Sequence, residues 1–100
     1  MSALKRIIVR AITEDSDGTT REIAVATDNR DRIKWDLYRS RSKWPMPTDA
    51  PSLWATFLAW SALRRTGATT QDFEAFSETV IAADAEAVDV DPTPTATGAP

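Results

Sequence analysis

The sequence predicts an α+β domain: an N-terminal two-stranded β-hairpin followed by three α-helices and a disordered acidic C-terminal tail. Three observations predict it. Two runs rich in β-branched residues, 4–13 and 20–27, flank a segment of turn-forming residues. Three capped stretches with helical spacing of apolar residues follow. Beyond Ala82 the chain offers little larger than alanine, and every charge is negative. The expected division is a folded domain over 1–82 and an acidic Pro/Thr-rich tail over 83–100.

The first run, Leu4 to Thr13, and the second, Thr20 to Thr27, both mix Ile, Val and Thr with charged residues, as a half-buried strand requires. Glu14-Asp15-Ser16-Asp17-Gly18-Thr19 between them is turn chemistry, with Gly18 free to adopt positive φ. Two strands alone are marginal in water, so the helices are expected to pack on one face of the hairpin.

Asp28 is placed to cap a helix over 29–43, with Asp31 in the first turn, where a carboxylate suits the helix dipole. Ile33, Leu37 and Trp44 share one stripe of this helix; Trp35 and Tyr38 lie on another side. Arg32, Arg39 and Lys43 follow one flank, and Arg30, Lys34 and Arg41 the other. Pro45 ends the helix, because the residue before a proline avoids the α region.

The second helix is expected to start after a Thr48 or Asp49 cap, with Pro51 in its first turn, and to run to about Thr66 before Gly67. Its core, Leu53 to Leu63, is an uncharged apolar block. Leu53, Phe57 and Trp60 fall on one side with Trp54 and Leu58 beside them, and Ala55, Ala59 and Ala62 make a smooth third side. A helix apolar on most of its circumference is normally buried in a large core or a membrane. The block is shorter than the ~18–20 residues a bilayer demands, so the pattern points to a partner that covers it. A third helix is expected from a Thr69 or Thr70 cap, with Phe73, Phe76, Val80 and Ile81 as its stripe.

Composition narrows the function. The chain has no cysteine and no histidine, which removes thiolate chemistry, the usual zinc ligands and the usual neutral-pH general base. Its three glycines are scattered and form no phosphate-binding spacing. The expectation is a non-enzymatic protein without cofactor. Asp28, Asp31, Asp36 and Asp49 could be paired as catalytic carboxylates, but helix capping explains those at helix starts.

Residues 1–65 contain all twelve Lys and Arg against eight acids, a surplus of +4; residues 66–100 contain seven acids and no base. The cations of the first helix, interleaved with Trp35, Tyr38 and Trp44, give an alternative reading as a small nucleic-acid-binding regulator using the helix at 29–43. Against it, Asp31 and Asp36 interrupt the run, and long basic side chains also flank buried stripes routinely. Trp44 and Trp60 fall on core stripes, whereas core and partner contact both fit Trp35 and Trp54.

Several runs together resemble the tail assembly chaperones of long-tailed, siphovirus-type phages of actinobacteria. They are Asp31-Arg32-Ile33-Lys34-Trp35-Asp36, Lys43-Trp44-Pro45, Thr48-Asp49-Ala50-Pro51, Leu53 through Arg65, Phe73-Glu74-Ala75-Phe76 and the acidic end with Asp91-Pro92-Thr93-Pro94. The resemblance spans about residues 28–94. Chaperones of this family are made in the host cytoplasm, coat the helical tape measure protein and keep it soluble until tail tube protein polymerises around it. They are absent from the mature virion, and a longer form is commonly made by ribosomal frameshifting. The resemblance therefore implies a tape measure protein as partner, with tail tube protein and a frameshifted longer form of this chain as further partners. It also fits a homo-oligomer that neither enters a membrane nor depends on nucleic acid. The family supplies no catalytic residues. On the helix reading, Trp54 and Leu58 are the client-binding candidates, with Trp35 and Tyr38 next.

Overall fold

The computed structural model describes residues 4–90. The proposed tail at 91–100 lies outside them. Strand β1 (Leu4–Glu14) and strand β2 (Thr20–Ala26) form the expected hairpin, in antiparallel register with Val9 opposite Val25 and Ala11 opposite Ile23. Its turn closes through the Asp15 N–H donating to the Thr19 carbonyl at 2.8 Å, with Gly18 at φ +86°. Helix α1 (Asn29–Ser42) begins at Asp28 in a capping box completed by Asp31. Lys43 ends it in the left-handed region at φ 58°.

Helix α2 (Pro51–Arg65) has Pro51 in its first turn as expected, but its N-cap is Ala50, with no side-chain cap from Thr48 or Asp49. Thr66 caps its C-terminus and Gly67 follows at φ +81°. Helix α3 (Phe73–Thr79) is a short segment whose N-cap is Asp72, not Thr69 or Thr70; the Asp72 carboxylate accepts the Ala75 N–H at 2.8 Å.

Beyond α3 the fold departs from the predicted order. Residues Val80–Val90 are not the end of a helix and the start of a tail; they form an eleven-residue strand, β3. The element order is β1, β2, α1, α2, α3, β3, not a hairpin followed by three helices. β3 runs antiparallel to β1, so the sheet order is β2-β1-β3 and the N-terminal strand is central. Val9 faces Ala85 and Ala11 faces Ala83 across this ladder, with a bulge between Ile12 and Thr13 that displaces Ile81 from the pairing. Ala, Asp and Glu are poor strand formers; the strand exists because β1 offers a complete hydrogen-bonding edge beside a helix that needs a roof.

That helix is α2. Every residue from Ala55 to Ala62 is buried, over two full turns. The three strands cover one side of α2, with α1 and α3 against the rest. The apolar block that pointed to an external partner is therefore covered within the chain. Ile7, Val9 and Val25 on the inner sheet face join Trp35, Phe57, Leu58, Trp60 and Phe76 in one core, and Ala11 is buried on the same face. The shortest principal extent, 21 Å, corresponds to one sheet and one helical layer. Helices lie on one sheet face, as expected; the other carries Arg6, Ile8, Arg10 and Ile12 between the exposed side chains of β2 and β3.

Candidate binding surface

The rotation of α1 decides which side chains are available, and one carboxylate fixes it. Asp31 is completely buried. It accepts the Ser61 hydroxyl at 2.6 Å, the Arg65 Nη2 at 2.9 Å and the Asp28 backbone N–H at 3.0 Å. Ser61, itself buried, and Arg65 come from the C-terminal half of α2, so the cluster clamps the start of α1 to the end of α2. Asp28 lies between Arg30 and Arg65; the hydrogen bond from the Arg30 side chain, above all, holds its carboxyl at about 2, below the usual 3.8. With every oxygen of Asp31 engaged, the charge is compensated and the arrangement is a structural tie.

Trp35 and Tyr38 follow Asp31 at helical spacing and so turn inward with it. Trp35 is 2% exposed, its ring 5.5 Å from those of both Trp44 and Phe57. Tyr38 is half-buried, 5.0 Å from Phe57 and 6.0 Å from Trp60. Phe73 closes the cluster against Trp44, Phe57 and Trp60, and the Trp60 indole donates to the Gln71 carbonyl at 2.8 Å. Leu58 is fully buried, and Trp54 is half-buried against the same core.

Of the four residues expected to meet a client, Trp35 and Leu58 are therefore core side chains with no surface to offer. Trp54 and Tyr38 keep partial exposure. The reason is physical: Trp35 and Tyr38 together remove more apolar surface from water than Ile33 and Leu37 would, and Asp31 on the same side finds its partners on α2.

The complementary stripe faces out. Ile33 is 50% and Leu37 58% exposed, one helical turn apart on the side of α1 opposite Trp35. The sequence places these two on one stripe with Trp44, which it reads as a core side chain. The signal that could have reversed the assignment was the Asp31–Trp35–Tyr38 spacing, which marks a second stripe with larger rings. Around the pair, the cations are satisfied without carboxylates. Lys34 Nζ sits 5.8 Å over the Trp60 ring and the Arg41 guanidinium 5.3 Å over Tyr38. Arg39 donates to the Pro45 carbonyl at 3.3 Å and Arg32 to the Lys5 carbonyl at 3.4 Å. Among the described residues, Arg30 is the α1 cation that enters an ion pair, with Asp28; Arg32, Lys34, Arg39, Arg41 and Lys43 enter none. The surface is thus an apolar pair with the unpaired cations Lys34 and Arg41 along one side and Asp36 on the other.

Among the described residues, no group of three acidic, His or Cys side chains is placed to hold a metal ion, and no helix is long and apolar enough to cross a membrane. Set against models of known families, curated proteins and solved structures, the chain matches none of them.

Proposed function

We propose that this chain is a phage tail assembly chaperone, which binds and solubilises a tape measure protein during tail morphogenesis without catalysing a reaction. The reading rests on the resemblance carried by residues 28–94. The observation that supports it most directly is the exposed Ile33 and Leu37 pair on α1. A fold that covers the strongly apolar α2 within itself yet leaves two large aliphatic residues on a clamped helix has a preformed apolar contact to offer. Client helices with bare apolar stripes aggregate, and many small contacts repeated along one client gain strength from multiplicity.

On this reading the protein acts in the host cytoplasm, self-associates along its client, meets tail tube protein and a frameshifted longer form of itself, and is left out of the virion. Co-expression with an insoluble fragment of the cognate tape measure protein tests the proposal. The fragment is expected in the soluble fraction, bound to the chain; a fragment that stays insoluble at equal expression overturns it.

The unneutralised cations of α1 favour a second reading, binding to nucleic acid. The rings that would stack on bases are turned into the core, and Ile33 and Leu37 occupy the centre of the exposed face, where phosphates gain nothing from them. Duplex binding that falls steeply with salt would support this second reading.

A further inference from the structure

We infer that the outward face of α1 is a docking site for an amphipathic helix whose apolar stripe is flanked by acidic residues. The inference deepens the chaperone reading and rests on it for the origin of the partner, but its chemistry is on the surface of this chain. Ile33 and Leu37 are half exposed and one turn apart, about 6 Å between their Cβ atoms, the spacing at which one helix receives the i and i+4 side chains of another.

Cations border this pair on one side, where Lys34 and Arg41 fall next to it on the helix and have no carboxylate partner among the described residues; on the other side Asp36 stands between the pair and Arg32. Asp36 is the one exposed acid of α1. A helix bearing Glu or Asp beside its apolar stripe would set Leu or Ile against Ile33 and Leu37 and bring its acids to the row of Lys34 and Arg41. A Lys-flanked helix with the same stripe would meet like charge along that row.

The site is also pre-organised. Asp31, Ser61 and Arg65 clamp the start of α1 to α2, and Trp35 and Tyr38 anchor its inner side. Docking therefore does not have to order the receptor helix. Two aliphatic side chains make a small anchor, so single contacts are weak and charge decides which helices are retained.

The test uses the full chain and two labelled synthetic helical peptides of identical Leu stripe, one with Glu flanks and one with Lys flanks, read by fluorescence anisotropy. The Glu-flanked peptide is expected to bind at least about tenfold more tightly than the Lys-flanked one, and to weaken several-fold between ~50 mM and ~500 mM salt. The pair Ile33→Ser and Leu37→Ser is expected to weaken it by about tenfold or more with an unchanged thermal midpoint. Arg41→Glu should narrow the preference between the peptides.

Amide exchange on the unmodified protein keeps the test independent of the variants: peptide-induced protection is expected across residues 30–41. Equal binding of the two peptides, protection on the sheet in place of α1, or displacement of the Glu-flanked peptide by a duplex oligonucleotide at equal concentration would each overturn the inference. Peptide binding with no rescue of a tape measure fragment would leave this surface standing and remove the chaperone reading.

Discussion

Asp31 carries two tasks in one carboxylate: it completes the capping box of α1 and neutralises Arg65 on α2. Without Asp31, Ser61 would lose its acceptor and Arg65 would keep only the longer contact with Asp28, at 3.6 Å. We expect Asp31→Ala to cost about 3–5 kcal/mol, the usual result of breaking a buried pair from one side. Urea unfolding followed by Trp fluorescence measures it. Asp28 makes a pH-dependent contribution. Its folded pKa, about 2, lies below the ordinary 3.8, chiefly through the Arg30 side chain, so its contribution is present above the unfolded value and is lost as pH falls from about 4 towards 2. Melting curves across that window should show a loss of stability that Asp28→Asn reduces; an unchanged slope in the variant would refute the assignment.

At the scale of elements, β3 was the hardest to read. Nothing in Ala82-Ala83-Asp84-Ala85-Glu86-Ala87 announces a strand, since β-branched mass is missing and its apolar residues are small. Its alternation becomes meaningful only in register with β1, where Ala83 and Ala85 turn to the core and Asp84 and Glu86 to the open face. Ala is what fits there, because α2 packs close beneath. Two neighbouring substitutions test that account. Ala85→Glu should drive a carboxylate against the core beside Val9 and unfold the domain, whereas Glu86→Ala, on the open face, should stay within about 0.5 kcal/mol of the unmodified chain; equal effects in thermal melts would show that the register is wrong. Leu58 and Phe57 are both fully buried, so Leu58→Ala is expected to cost about 2–5 kcal/mol and Phe57→Ala about 3–5 kcal/mol. Similar losses in denaturant titrations would mark both as core, whereas a Leu58 variant of unchanged stability would return that side chain to the surface.

Over the whole molecule, the two ends of the described chain meet: β1 and β3 pair along most of their length although helices and a second strand separate them in sequence. The cover of α2 is completed only when Val80–Val90 is in place. A chain ended at Thr79 should therefore lack a cooperative melt and bind an apolar dye, since one side of a largely apolar helix would be bare. A cooperative, dye-silent transition in that truncation would overturn the account. The open sheet face carries Arg6 and Arg10 in its central strand, with Asp84 opposite Arg10 on β3, so that face is charged where the inner one is apolar.

The sequence by itself determined the local features whose causes are local. Gly18 in its turn, the Asp28 cap, the Pro45 stop, Pro51 at the start of α2 and Gly67 after it were legible because each rests on the conformational preference of one or a few adjacent residues. The burial of Phe57 and Trp60 was legible too, since large apolar rings in the middle of an uncharged helix leave water wherever they can. Tertiary structure alone decided which stripe of α1 faces inward, because Trp35 with a paired Asp31 and Ile33 with Leu37 are both plausible stripes until Ser61 and Arg65 are brought across from α2. It alone decided that an alanine-rich acidic segment is a strand, because the hydrogen bonds that make it one come from β1, some seventy or more residues earlier. Through those two decisions it moved the candidate binding surface from Trp35 and Leu58 to Ile33 and Leu37: side chains are left for a partner only after the fold has taken those that remove the most apolar surface from water.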